Sequence, residues 1–344
     1  MAKKSLSKAK FWGPGGLALT ATDRTIFRDD IDWLLPNRIF DMHTHVLPGV
    51  KGRQPRTSMT LLKQFQKMIY PGRSCNNLIL PIPVVGQTAD QTNRYASRQM
   101  RKFAENGDAT LVWADPSMSA GVVQEQVLRM QAVGLKVYMS HATVKDKTEA
   151  PIRSFLTEKH IKVMNELGLM VVLHLSKAKA ISDPANIRDV KTLSERYPNS
   201  KWVLAHCARC FRPGMFEKVV DQLNALPNVY VEVSAVCDPL VFMEIFKNYD
   251  LSRLMFGSDN VVAGGMRGRY VETGLFWSLI GRLGYQWKQG HFLIQPTFVI
   301  YEQLRAMSRA AKLVSLSKRD IGNIFWNNAV SLIKDIRQAN KCAG

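Results

Sequence analysis

Arg38-Ile39-Phe40-Asp41-Met42-His43-Thr44-His45 is the stretch on which the rest of the chain turns. It reads as a short apolar strand ending in two histidines one residue apart. Strand side chains alternate between faces, so both imidazoles point the same way. Two neutral ring nitrogens converging on one point suit a divalent metal. His-x-His is a short motif, however, and two polar residues closing a strand explain it as well. The remainder of the chain decides between them.

From Arg38 onward, apolar segments of strand length alternate with segments of helical periodicity. The expected strands are 38–44, 77–85, 110–114, 135–140, 169–176, 202–207, 229–235 and 254–257. Helices are expected at 58–68, 91–105, 122–132, 154–167, 185–197, 215–226 and 239–248. Gly107, Gly134 and Gly168 supply stop signals and Asp183-Pro184 a start signal. Strands joined through helices run parallel, because each returns by a right-handed crossover. Eight of them predict an α/β fold of the closed (β/α)8, or TIM-barrel, type. An open doubly wound sheet is the alternative, but no Gly-x-Gly-x-x-Gly follows the first strand to support dinucleotide binding.

Outside the barrel pattern, residues 1–37 read as a basic N-terminal extension with a short helix near 27–35 that stops at Pro36. Residues 38–344 then form the barrel with its C-terminal helices. After Asp259 come a Gly-rich loop at 263–268 and helical stretches near 275–283, 298–313 and 320–337.

The 344 residues are 46% hydrophobic, enough for a sizeable core, and no apolar run approaches the ~20 residues that span a bilayer. Membrane partners are therefore not expected. Five cysteines, an odd number at low density, and a poor signal sequence at the N-terminus point to a reducing cytoplasm. Cys207-x-x-Cys210 has no second pair at zinc-site spacing, so two structural thiols are expected there. The net charge of +19 favours anionic partners, but the lysines and arginines are scattered and no nucleic-acid-binding module is recognisable. Nucleic acid is accordingly not the expected partner.

Barrels of this type carry their chemistry at the C-terminal ends of the strands. His43 and His45 end the first expected strand, His174 and His206 lie near the ends of the fifth and sixth, and Asp259 follows the eighth. Four of seven histidines thus share one mouth, and a metal site becomes the leading reading.

These residues carry a resemblance. His43-Thr44-His45, His174 in Val171-Val172-Leu173-His174, His206 in Val203-Leu204-Ala205-His206, and Phe256-Gly257-Ser258-Asp259 resemble the amidohydrolase superfamily. Gly322-Asn323-Ile324-Phe325-Trp326-Asn327-Asn328-Ala329 is similar to the C-terminal helix of the amidohydrolase-related branch that includes aminocarboxymuconate semialdehyde decarboxylase. The likeness runs over about residues 38–335. It implies one divalent ion, expected as Zn2+ although Mn2+ or Fe2+ would also suit the set, held by His43, His45, His174 and Asp259. It also implies His206 beside the activated water and Asp259 as the proton acceptor. Other branches carry a modified lysine on the fourth strand between two metals. Lys136 invites that comparison, but it is expected early in its strand, far from the metal mouth.

Loops at the same mouth are basic, with Lys51, Arg53 and Arg56, then Lys177 and Lys179, then Arg209 and Arg212, then Arg267 and Arg269. Such charge predicts an anionic small-molecule substrate, with Arg209, Arg212, Arg267 and His141 as substrate-binding candidates. A generally basic surface explains the same charges. Trp113, Tyr138 and Phe211 fit an apolar wall of the site and the core equally well, and they are not counted among the site residues. The expected activity is hydrolysis of an ester, lactone or amide carbonyl, and the alternative is non-oxidative decarboxylation of an unsaturated or aromatic acid. The C-terminal helices offer a surface for a homo-oligomer.

Overall fold

The computed structural model describes residues 16–50, 54–274, 276–281 and 296–342. Lys51 and Arg53 of the basic loops lie outside these residues, as do most of the basic tail and residues 282–283.

Eight parallel staves form the barrel. They are β1 (Arg38–Val46), β2 (Ser74–Pro81), a third stave in two pieces, β3 (Ala109–Thr110) and β4 (Val112–Trp113), then β5 (Gly134–Val137), β6 (Met170–Leu173), β7 (Lys201–Leu204), β8 (Val229–Glu232) and β9 (Leu254–Met255). The break at Leu111 does not open the ring, since Leu111 N donates to Ile79 O and Val133 N to Thr110 O, each at 3.0 Å. The ends meet as well: Met42 N donates to Phe256 O at 2.9 Å and His45 N to Asn260 O at 2.7 Å. A one-residue bulge interrupts the β1–β2 register between Asp41 and Thr44, next to the histidine pair.

Helices cover the staves because their apolar residues recur at helical spacing. In Met59–Ile69 the buried set is Met59, Leu62, Phe65, Gln66 and Ile69, and Ser58 caps the first turn by accepting from Leu61 N. Each such apolar side chain contributes ~1.5–3 kcal/mol when fully buried, so Phe65→Ala, leaving a cavity, would cost about 3–5 kcal/mol.

Several expectations are corrected. Within the helical stretch expected near 275–283, the described residues are not helical: Phe276–Ile280 is strand β11, paired antiparallel with β10 (Arg269–Thr273). Its alternation places Trp277 and Leu279 inward and leaves Phe276 and Ile280 exposed, which is a strand's period of two. The helix expected at 215–226 is only Val220–Asn224. The strand expected at 202–207 ends at Leu204. Gly134 is no helix end but part of β5, where a Cβ would meet Met170 O at 2.1 Å. The N-terminal helix begins earlier than expected, at Ala21, behind a Thr20–Asp23 capping box, and residues 16–37 pack on the barrel through Leu17, Ile31 and Leu34. C-terminal helices Val299–Leu313 and Asn328–Cys342 complete the shell.

Candidate metal centre

At the C-terminal mouth, His43 and His45 on β1 lie with Asp259 so that one ligand atom of each falls within 4.8 Å of the others. The ring centroids of His43 and His45 are 5.0 Å apart, those of His43 and His206 4.9 Å, and those of His174 and His206 5.2 Å. The five residues named from sequence are therefore gathered in one place.

Each well-tethered imidazole is held by Nδ1. His45 Nδ1 lies 2.8 Å from Leu80 O, and since a carbonyl only accepts, Nδ1 carries the hydrogen and Nε2 keeps its lone pair, 3.0 Å from Asp259 Oδ1. His43 Nδ1 lies 2.8 Å from Glu232 Oε1. Ser234 Oγ donates to Glu232 Oε1 at 3.0 Å and accepts from His206 Nδ1 at 2.8 Å. Three Nε2 atoms are thus left with lone pairs, and holding Nδ1 in this way is how proteins orient metal-ligating histidines. The donor set of His43, His45 and Asp259 fits a divalent ion, and the His174 ring stands next to that of His206 in the same cluster.

Glu232 is the residue that sequence reasoning missed. Its Oε1 takes hydrogen bonds from His43 Nδ1, His206 N (2.9 Å) and Ser234 Oγ, and its Oε2 takes one from Ser234 N (2.8 Å). With both oxygens engaged it orients the histidines, and one of its oxygens lies within 4.8 Å of ligand atoms of both His43 and His206. The sequence signal was an acid closing an apolar strand, Val229-Tyr230-Val231-Glu232. Gly257 makes room for it: a Cβ there would sit 2.3 Å from Glu232 Oε2 and 3.0 Å from His43 Cβ.

The chain after β7 adopts an uncommon course. His206, Cys207, Ala208 and Arg209 all have left-handed backbone, with φ of 58°, 51°, 56° and 62°. Non-glycine residues there cost roughly 1–2 kcal/mol each, and the cost is offset by what the turn achieves. It aims His206 N at Glu232 and brings Arg209 Nη1 to Leu175 O at 2.7 Å.

Electrostatics suit a centre of neutral imidazoles and ionised carboxylates. Burial lowers His43 to about 4, helped by Lys136 and resisted by Glu232. Burial, then the neighbouring His206, Arg209 and Lys136, hold His174 well below the ordinary histidine value. Burial also lowers His206. Burial alone would raise Glu232, but His43 and His206 and the Ser234 amide hold it at about 2. Asp259 is likewise kept below the usual carboxylate range against burial, by the adjoining His45 and the nearby His43 and His206.

Lys136 is not remote from this mouth as the sequence suggested. It is the third residue of β5, fully buried, and burial lowers it to about 8 while Glu232 and Asp259 oppose the shift.

The substrate-binding candidates separate. Arg209 is buried, gives Nη1 to Leu175 O and Lys177 O, and has an Nε without a partner and no carboxylate in ion-pair range among the described residues. Arg212 reaches Glu272 at 3.5 Å. His141 Nδ1 sits 2.9 Å from Asp115 on a half-exposed turn, edge-on to Trp113. Arg267 is taken elsewhere: it is buried in a two-pronged pair with Asp23 (3.2 and 2.9 Å) and donates to Ala18 O and Pro296 O. Its fork clamps the N-terminal segment to the barrel, so it is withdrawn from the substrate set. Phe211, for which the sequence left wall and core open, is buried with the core and also faces the centre. Its ring lies 6.0 Å from His206 at 29° and packs on Trp277 (4.5 Å) and Tyr270 (5.5 Å) of the β10–β11 hairpin.

A family model described as amidohydrolase matches residues 40–334. Among curated proteins, no sequence matches. Similar solved structures include dihydroorotase from Saccharomyces cerevisiae (14% identity, TM-score 0.55, 87% of this chain and 84% of that one). Another is 5-carboxyvanillate decarboxylase from Sphingomonas paucimobilis (11%, TM-score 0.51, 87% and 99%). A third is an uncharacterised TIM-barrel protein from Bordetella bronchiseptica (10%, TM-score 0.52, 87% and 99%). At these identities they speak for the fold alone.

Proposed function

The chain belongs to the amidohydrolase family, and from that premise we propose that it is a metal-dependent hydrolase acting on an ester, lactone or amide carbonyl of a small organic anion. The observation that supports this most is Asp259, kept ionised beside His45 and His43, with neutral His206 in the same cluster. When bound, a divalent ion supplies Lewis acidity and a water acidic enough to lose a proton near neutral pH. Asp259 accepts that proton and returns it to the leaving group. His206, its Nδ1 hydrogen given to Ser234, offers the Nε2 lone pair to hold the water in line with the carbonyl. Glu232 acts through His43 and His206 as a positioning residue. Arg209 supplies the fork for a substrate carboxylate, because a buried guanidinium without an acidic partner is costly until one arrives.

One feature favours a second reading. Phe211, Tyr270 and Trp277 form an aromatic wall beside His206, which suits a planar ring, and decarboxylation of an aromatic acid would use the same residues with Asp259 delivering a proton to the ring carbon as CO2 leaves. Proton release and CO2 evolution, followed in parallel over lactones, esters, amides and aromatic acids with metal-loaded protein, separate the two. Hydrolysis of lactones and esters requires proton release without CO2, and hydrolysis of amides, in which the freed amine takes up the proton near neutral pH, requires amine release without CO2. CO2 from an aromatic acid, with every carbonyl substrate inert, would replace the first reading by the second.

The ion is proposed to be Zn2+, with Mn2+ and Fe2+ as the other ions a three-histidine, one-carboxylate set accommodates. No helix among the described residues is long and apolar enough to cross a membrane. A cytoplasmic location is proposed from the free, buried Cys207, Cys210 and Cys237.

A further inference from the structure

The metal centre uses one end of the barrel, and the large positive charge of the chain plays no part in it beyond Arg209. At the opposite, N-terminal end lies a cleft of about 480 Å³ between the start of β1 and the last helix. Three cations line it, Arg38, Lys334 and Arg337, and no acidic residue does. None of the three is in an ion pair among the described residues. Elsewhere the protein pairs its arginines readily, as with Arg73 and Asp32 or Arg305 and Asp30. Three cations sharing one concavity repel each other, and an anion seated among them relieves that repulsion.

The cleft is also ordered. Trp326 is packed edge-on against buried Phe40 at 6.1 Å, and the Arg38 guanidinium carbon stands over the Trp326 ring, 3.8 Å from its centroid. The cation–π contact steadies the Arg38 head, whose N–H groups make no hydrogen bond to protein among the described residues. Lys334 and Arg337 stand three residues apart on Asn328–Cys342 and so share one helix face. Arg337 is steadied by donating Nη2 to Asp108 O at 2.8 Å, which leaves further N–H groups for a ligand.

We propose that this cleft is a binding site for a polyphosphate group, of the size of a diphosphate or triphosphate. A single carboxylate would leave two of the three charges uncompensated. Two guanidinium forks and an ammonium across one small cleft match oxygens that carry several charges over a few ångströms. The site is separate from the metal centre and does not depend on the reaction catalysed there.

The test is calorimetric titration of the metal-loaded full chain with inorganic pyrophosphate and with ATP, for wild type and for the R38Q/K334Q double variant. Both substituted side chains are exposed. Wild type is expected to bind both probes, and the double variant at least about tenfold more weakly, a change of about 1.4 kcal/mol. Metal content and melting temperature should not change. If the double variant misfolds, K334E alone, at an exposed helix position, reads the same effect. Equal affinity in wild type and variant would assign the phosphate to the metal centre and overturn the proposal. So would no binding by wild type, or displacement of pyrophosphate by generic duplex DNA with a steep salt dependence, which would make this face a nucleic-acid surface.

Discussion

His43 Nδ1 and Glu232 Oε1, 189 residues apart in sequence, lie 2.8 Å apart in a buried contact that fixes the imidazole of the first strand from the end of the β8 strand. The same carboxylate holds the backbone of His206 and both polar groups of Ser234. Glu232→Gln keeps the shape but loses the charge and one acceptor site. It should weaken metal binding by about 10–100-fold, the usual effect of removing a group that orients a ligand. Chelator competition measures this, and unchanged affinity would remove Glu232 from the centre.

Gly257→Ala tests the same contact from the other side. The new Cβ would stand 2.3 Å from Glu232 Oε2, so the carboxylate or β1 must move. Overpacking of this kind costs about 1–3 kcal/mol. A lower melting temperature together with reduced metal content is expected, and a variant matching wild type in both would show that the site yields.

Metal analysis of wild type and His174→Ala checks the ligand set. About one ion per chain is expected in the first, in line with the single-ion reading of the four ligands, and loss in the second. Two ions per chain would bring buried Lys136, with Glu232 and Asp259 acting on its charge, into a second site.

The metal-free protein should lose stability as pH falls below neutrality. His43 is lowered to about 4 in the fold, against about 6.5 when unfolded, so between these values the unfolded chain binds the extra proton and stability rises with pH. The window spans on the order of 3 kcal/mol for this residue. His174 and His206, also lowered, act in the same direction. Glu232 contributes stability above its unfolded value that is lost only as pH falls towards about 2. Denaturation midpoints at pH values of about 7, 5.5 and 4.5, spanning the two histidine values, measure the slope. Asp41, raised by burial to about 7, acts in the opposite direction over the same range, so the slope is compared with that of His43→Ala, and equal slopes would contradict a neutral buried His43.

Arg209 and Arg267 should behave oppositely. Arg267→Gln leaves buried Asp23 without its partner and should cost about 3–5 kcal/mol of stability, with KM little changed. Arg209→Gln should raise KM for a carboxylate-bearing substrate more than for its neutral analogue. Denaturation and paired-substrate kinetics distinguish them, and a KM effect confined to Arg267→Gln would reverse the assignment.

The barrel and five of its mouth residues, His206 among them, were legible in the sequence for local reasons. A strand's period of two, a helix's 3.6 and the rule that strand ends carry the chemistry together placed His43, His45, His174, His206 and Asp259 before any coordinates. Phe276–Ile280 was misread because a short apolar run fits either period, and only its pairing with Arg269–Thr273 decides. Phe211 could not be told from core, since facing His206 depends on the hairpin packed behind it.

By itself, then, the sequence determined the alternation that builds the barrel and the chemical type of its mouth, because both arise from spacing along one strand or helix. Tertiary structure alone decided what each charge is for. Glu232 orients histidines because the barrel brings β8 against β1, and Arg267 is a clamp because Asp23 folds back from 244 residues away. Whether a buried polar group is ligand, orienter or strut depends on its partners across the fold. Residue type and spacing do not encode those partners.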